Sequence, residues 1–477
     1  MIFQSVEYLL FFCALLSAYY WLPMRGQNLL LVAASYVFYG WVHQWYLILI
    51  RITTLFDWGC ALAMDGAKTQ RQRKAYFLLS IGVNFTILGV FKYCGFFVEN
   101  FTALLTAIGL MPSPILLHIA LPAGISFFTF QSVSYAVDVY RGEMKPCRSL
   151  LDYATFAAFF PQLVAGPIER AGHMLPQYQV RRQVDFSGMR SGFVLVLWGL
   201  FQKLAIADST ALLANKVFAV GDASFPVLWG GVIAFGVQIY ADFSGYTAIA
   251  RGSARMIGIE LCPNFNHPYI SQSPNEFWRR WHMSLGKWFK DYVFIPLGGS
   301  RNGPGTTARN VMIVFFLSGL WHGAGWNFIF WGLFHGALLC LWPYLVRAVP
   351  VFGKAGGVGG IVFRVIFTFL IMHVGRILFR EHDLAMIWQH LTLNPLSATV
   401  MEWRVGGSIL LESVLYGLPL TLLYPLVEHY GFIPAADDAR MKTWQWTLIQ
   451  AAAGALILLG ILALRSPESG DFIYFQF

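Results

Sequence analysis

Apolar runs follow one another along almost the whole chain, and no water-soluble fold has room to bury so many of them. They cover Val6–Leu22, Leu29–Val42, Tyr46–Met64, Ala75–Phe91, Ile115 to about Ala136, Phe193–Leu204, Val227–Ile249, Val311–Leu320, Trp326–Leu345, Ile361–Phe379, Ile409–Val427 and Trp444–Leu464. Surface of this kind needs a hydrocarbon solvent. The composition agrees: 57% of the 477 residues are hydrophobic and 12% charged, where a soluble domain carries about 25% charge. An ordinary cytosolic enzyme is excluded, and 17 Trp with 42 Phe exclude a disordered or fibrous chain. The reading is an all-α polytopic membrane protein. Several runs fall short of the roughly 20 residues a full crossing needs, which gives about 10–11 transmembrane helices plus re-entrant or interfacial helices.

Lys and Arg outnumber Asp and Glu by 33 to 24. In a membrane protein this excess points to cytoplasmic loops facing anionic lipid, with membrane lipids and not nucleic acid as the partner. Lys68, Arg71, Arg73 and Lys74 mark one such loop, and Arg181, Arg182 and Arg190 are expected on the same side. The six cysteines stand singly, without metal-ligand spacing, so neither a disulfide framework nor a metal centre is expected. The first run lacks a basic leader and is followed by Pro23, Met24 and Arg25, which suits an uncleaved span. With no linker or fixed-period repeat, residues 1–464 read as one membrane domain and 465–477 as an aromatic C-terminal tail.

Two places interrupt the pattern. Two prolines and a glycine break the apolar stretch Phe159–Pro167, which predicts a broken or re-entrant helix buried in protein or lining a cavity. The segment from Cys262 to Arg309 alternates polar and aromatic residues and predicts interfacial helices.

That second segment holds the densest chemistry. In Glu276–Leu285, continued by Lys287, Trp288 and Lys290, helical spacing puts Trp278, Trp281, Leu285 and Trp288 on one face and Arg279, Arg280, Lys287 and Lys290 largely on the others. Either this is a surface anchor with His282 as a passenger, or it is a basic mouth for an anionic substrate with His282 turned inward. A second cluster, Ser318-Gly319-Leu320-Trp321-His322-Gly323-Ala324-Gly325-Trp326-Asn327, sets a histidine within an apolar region. Ionisable groups there are costly and are functional candidates, although a helix-packing histidine is the alternative. The neighbouring glycines allow close approach of a substrate or a helix. His335 and His373 are assigned structural roles. Asp242, within a long apolar segment, is a third candidate, for which an ion pair with an intramembrane arginine such as Arg255 or Arg376 is the favoured explanation. The loop Gly298–Gly305 lacks the Lys-Ser/Thr of a phosphate-binding loop and reads as a turn-rich connection.

With both histidine clusters in view, the chain resembles the membrane-bound O-acyltransferase family, in its bacterial branch similar to alginate O-acetyltransferase. The resemblance is carried by Ala123-Gly124-Ile125-Ser126-Phe127, Asp138-Val139-Tyr140-Arg141-Gly142, Ala165-Gly166-Pro167-Ile168, Asp242-Phe243-Ser244-Gly245-Tyr246, the run Phe277–His282, and Leu320-Trp321-His322-Gly323. It implies a helical fold around a central tunnel, entered by the acyl donor from the cytoplasm and by the acceptor from the opposite side. It also implies His322 as the catalytic histidine, with His282 forty residues before it. A neutral imidazole suits the removal of a hydroxyl proton during acyl transfer. Arg279, Arg280, Lys287 and Lys290 would attract the phosphates of acetyl-CoA, which enters as donor substrate with no further cofactor. Asp242, Trp321 and Asn327 take structural or tunnel positions.

The last residues, Phe472-Ile473-Tyr474-Phe475-Gln476-Phe477, look like the aromatic motif of the small partner protein in teichoic acid D-alanylation. That resemblance makes Tyr474 an acyl relay; the alternative is an interfacial aromatic anchor. Arg440, Lys442 and Arg465 leave the topology of the last span open. The expected function is transfer of acetyl groups across a bacterial inner membrane. The recipient is an extracytoplasmic polysaccharide, whether an alginate-like exopolysaccharide, cellulose or peptidoglycan, and the partner is an extracytoplasmic acetyltransferase. Rival readings are a proton-coupled transporter with an intramembrane histidine relay, a non-catalytic scaffold, and an acyltransferase for D-alanine or a longer chain. The transporter is disfavoured because no pair of interrupted segments recurs in corresponding halves.

Overall fold

The computed structural model describes residues 1–41, 43–110, 122, 124–163, 166–353, 357–423, 443–466, 470, 472 and 473. Among these residues the regular structure is helical, with no strand. Tyr474, Arg440 and Lys442, and most of the first half of the run that begins at Ile115, lie outside the described residues. Among the described residues, six helices are long and apolar enough to cross a membrane: Tyr46–Asp65, Gln70–Ala107, Phe186–Val220, Phe225–Met256, Trp326–Ala348 and Gly357–Arg380. The larger number expected from apolar runs counts also helices that are shorter or less apolar, such as Val6–Tyr19, Met24–Gly40, Gly303–His322 and Val400–Leu418.

The chain divides into two compact units, Met1–Val184 with Ile257–Leu261, and Asp185–Met256 with Cys262–Phe477. In the first unit, polar side chains lock the helices from inside. Asp57 accepts hydrogen bonds from Ser80 at 2.6 Å and Asn84 at 2.8 Å, tying Tyr46–Asp65 to the next helix. Arg182 is not part of a basic surface as expected. It is buried, donating to Tyr19 Oη at 2.7 Å, Asn28 Oδ1 at 2.6 Å and the carbonyls of Tyr178 and Val180. Buried guanidinium nitrogens need this many acceptors, because each donor left bare would carry its full desolvation cost. The expected broken helix is present: Leu150–Ala158 ends at Phe159, and a short turn Phe160–Leu163 follows, all of it buried.

In the second unit the buried helix Phe225–Met256 is the axis. Phe186–Phe201 lies against it backbone to backbone, because glycines face each other twice. A Cβ on Gly199 would sit 2.6 Å from the Gly245 carbonyl oxygen, and one on Gly252 would sit 2.5 Å from that of Gly192. Small residues at such positions are what permit close helix pairs in lipid. Phe186–Phe201 then passes into a π-helical turn, Gln202–Ala207, before continuing as Asp208–Val220. The wider turn brings residues five apart onto one side, so Lys203 meets Asp208 at 2.8 Å.

Candidate active site

The segment after Cys262 does not form one amphipathic surface helix. It forms two short helices, Pro274–Arg280 and Met283–Phe289, broken at Trp281 and His282. Trp281 is extended and His282 is left-handed, with φ 45° and ψ 54°. A left-handed backbone is uncommon for a residue with a side chain and must be held by its surroundings. Asn264 supplies part of the hold. Its carbonyl accepts the Met283 N–H at 2.8 Å, and its side chain accepts from Ser284 at 2.6 Å. The Asn266 N–H donates to the Arg280 carbonyl at 2.9 Å. The break turns Trp281, Leu285 and Trp288 into the protein, where they are buried, so the surface-anchor reading does not describe them.

His322 arrives by a different route. It is the last residue of the helix Gly303–His322, which ends as Gly323 goes extended. That helix packs closely on Trp326–Ala348. A Cβ on Gly319 would lie 2.2 Å from the Phe328 carbonyl oxygen, and one on Gly332 would lie 2.3 Å from that of Phe315. The glycines around His322 thus admit a neighbouring helix, and at Gly323 the ring of Phe328. Aromatic rings hold the imidazole edge to face: Trp331 at 4.8 Å and Phe379 at 5.2 Å between centroids. Trp321 neighbours both histidines, 5.5 Å from His282 and 4.9 Å from His322.

Both histidines line one cavity of about 700 Å³, together with Trp278, Phe315 and Ser318. His282 is 3% exposed and His322 5%, whereas Arg279, Lys287 and Lys290 line the same cavity and are exposed. The cavity lining therefore combines exposed basic side chains with buried imidazoles. Burial pushes the His282 imidazole down to about 3, so the ring is neutral at physiological pH. Arg280, grouped with the other three basic residues from sequence, turns elsewhere: it pairs with Glu276 at 2.7 Å and donates to the Asn266 carbonyl. Asn327 is buried and donates to the Leu378 carbonyl at 3.3 Å, a helix-to-helix bond.

The chain belongs to the membrane-bound O-acyltransferase family. The sequence pattern of that family, MBOAT, matches residues 7–380, a stretch that contains the two histidines and the cavity. The chain is similar to a protein of Azotobacter vinelandii named probable alginate O-acetylase, 40% identical over 508 residues that cover all of both chains. A peptidoglycan O-acetyltransferase of Helicobacter pylori is 30% identical, over 94% of this chain and 91% of that one. A teichoic acid D-alanyltransferase of Bacillus subtilis is 28% identical over 47% of this chain and 59% of its own. The protein is a multi-pass membrane O-acyltransferase.

Among the described residues, Trp321, Asn327, His335, His373 and Asp242 are not in the cavity lining of this membrane-bound O-acyltransferase. His335 packs against Gly375 and rings Trp278 and Trp331 at 5.0 Å each. His373 donates from Nδ1 to the Phe369 carbonyl at 2.7 Å and packs against Gly236. Asp242 pairs with neither Arg255 nor Arg376. Arg255 is thirteen residues on in the same helix, about 20 Å along its axis, and Arg376 lies over the Trp281 ring at 4.3 Å. The partner is Lys203, at 2.9 Å. Lys203 escaped the sequence reading because it ends an apolar run and its two carboxylate partners are revealed only by the π-helical turn and by the helix packing. Asp242 also accepts the N–H of Ile473 at 2.6 Å, which brings part of the C-terminal segment into the core.

Proposed function

We propose that this enzyme takes acetyl groups from cytoplasmic acetyl-CoA and delivers them through a bacterial inner membrane for O-acetylation of an extracytoplasmic polysaccharide. The reading is carried by one observation: the lining of a single cavity holds exposed Arg279, Lys287 and Lys290 together with buried His282 and His322. The basic side suits a donor rich in phosphate, and the apolar, aromatic interior suits a short thioester. Relatives named for alginate and peptidoglycan O-acetylation support a polysaccharide recipient.

In this reading His322 removes the proton of the accepting hydroxyl as its oxygen attacks the thioester carbonyl. The carbon–sulfur bond breaks, the carbon–oxygen bond forms, and the proton passes from the imidazolium to the departing thiolate, giving CoA thiol. His282, held neutral by burial, orients the thioester. The first acceptor is the hydroxyl of Tyr474, which hands the acetyl group to an extracytoplasmic acetyltransferase acting on the polymer. A phenol with an ordinary pKa near 10 needs a base beside it, which links the relay to His322.

The test is incubation of the purified enzyme in nanodiscs with acetyl-labelled acetyl-CoA, read by intact and peptide mass spectrometry. Label on the C-terminal peptide of the wild type, absent from His322→Ala and Tyr474→Phe, is the expected result. Donor consumption without label at Tyr474 would remove the relay and leave the enzyme; no donor consumption would remove acetyl-CoA as the donor.

A further inference from the structure

A lysine and two aspartates, all buried, sit where the C-terminal segment enters the second unit. Lys203 reaches Asp208 at 2.8 Å and Asp242 at 2.9 Å, so one cation faces two carboxylates. The remaining oxygen of Asp242 accepts a main-chain N–H, that of Ile473, at 2.6 Å. A carboxylate removed from water needs such donors, and here one of them comes from a residue 231 positions away in sequence.

The segment is guided into this place from the end of the last helix. Ser209 Oγ donates to the Leu464 carbonyl at 3.2 Å, and the Ser466 N–H donates to the Leu204 carbonyl at 3.3 Å. Phe472 and Ile473 are 0% and 1% exposed. The Phe472 ring lies 4.2 Å from that of Tyr246 and 6.0 Å from that of Phe243, and Phe243 stands edge-on to His282 at 4.7 Å. A single ring therefore separates the buried part of the segment from a histidine of the donor cavity. An aromatic anchor at a membrane surface would leave these side chains in the lipid headgroup region.

We propose that Asp242, held in place by Lys203, is a positioning residue that docks the C-terminal segment by its main chain, so that the residue after Ile473 is presented for acetylation. This deepens the relay reading above and rests on it for its catalytic consequence. The grip falls on a backbone N–H, so it depends little on which side chain stands at 473 but fails with proline, which has no N–H to give. Asp242→Asn removes the charge that Lys203 and the N–H both serve, while Asp242→Glu keeps it.

The experiment uses the full chain in nanodiscs and two readouts. Hydrogen exchange at the amides of the peptide containing residues 470–476 reports docking directly. Acetyl labelling of that peptide, with acetyl-CoA varied to separate KM from kcat, reports presentation. We expect exchange to rise about tenfold or more in Asp242→Asn and in Ile473→Pro, as loss of a charge-assisted hydrogen bond implies. We expect kcat for labelling to fall by a similar factor while KM for acetyl-CoA stays within about twofold, since the basic side of the cavity is untouched. Asp242→Glu should recover part of both. Ile473→Pro leaves the Lys203, Asp208 and Asp242 cluster chemically intact, which guards against a folding defect in the aspartate variant. Unchanged exchange in both variants would overturn the docking proposal, whatever the labelling shows. Raised exchange, in an enzyme whose wild-type segment never carries acetyl, would support docking and instead sink the relay.

Discussion

His322 and His282 reach the same cavity by opposite means. His322 ends a regular helix of 20 residues whose position is set by glycine contacts with its neighbour. His282 sits at a rupture between two seven-residue helices, in a left-handed conformation held by Asn264. The first is rigid because it continues a periodic element, and the second because distant residues over-determine an unfavourable backbone. A base that must meet a developing charge gains from the first kind of support. A group that orients a substrate can be carried by the second.

The largest effect expected from this difference is in catalysis. His322→Ala should lower acetyl transfer by at least about 100-fold, the usual scale for losing a general base. His282→Ala should lower it by a smaller factor under the same single-turnover assay. Equal losses would make the two histidines one functional unit and break the contrast.

The next is in packing. Gly319→Ala, on the His322 helix, forces a methyl group against a backbone oxygen and should destabilise the enzyme by about 1–3 kcal/mol. Gly286→Ala, on the helix after His282, meets nothing nearer than 3.9 Å. It should be neutral or stabilising by up to about 1 kcal/mol. Thermal unfolding of the two variants in one detergent compares them.

Acid should reveal His282 in particular. Its folded value of about 3 lies below the ordinary 6.5, so below pH 6.5 the unfolded ring takes a proton that the folded ring refuses. Stability is then lost as pH falls between these values, by about 1.4 kcal/mol for each pH unit. The unfolding midpoint of His282→Gln should fall less steeply than that of the wild type between pH 6 and pH 4, on the order of that slope. Parallel curves would contradict a buried neutral imidazole.

The smallest effect belongs to the exposed charges. Lys287→Gln with Lys290→Gln should raise KM for acetyl-CoA by about two- to fivefold, an effect that added salt diminishes. A change of the same size in Arg280→Gln would mean that Arg280 leaves Glu276 when the donor binds.

What could be read from sequence follows the same division. The apolar runs announce the membrane helices because lipid imposes composition directly. His322 stands out there for the same reason, as an ionisable residue at the end of a run. The break at His282 was hidden: helical spacing through Trp278, Trp281, Leu285 and Trp288 predicts an unbroken helix, and the bonds that rupture it come from Asn264, which that spacing does not include. Lys203 went unnoticed and Arg182 was misplaced for a related reason. Local sequence shows a charge, while its burial is decided by partners far along the chain, Asp242 for one and Tyr19 and Asn28 for the other.

The central claim is that the acetyl donor occupies the cavity shared by the two histidines. Ser318 lines it one helical turn before His322, so Ser318→Cys places a thiol at its wall. The decisive measurement is the rate at which iodoacetamide alkylates that cysteine in nanodiscs, followed by peptide mass spectrometry with and without saturating acetyl-CoA. Protection of about tenfold or more, with alkylated protein losing acetyl transfer, is the result expected for a ligand that fills the site. Alkylation at the same rate in the presence of donor would place acetyl-CoA elsewhere and contradict the account.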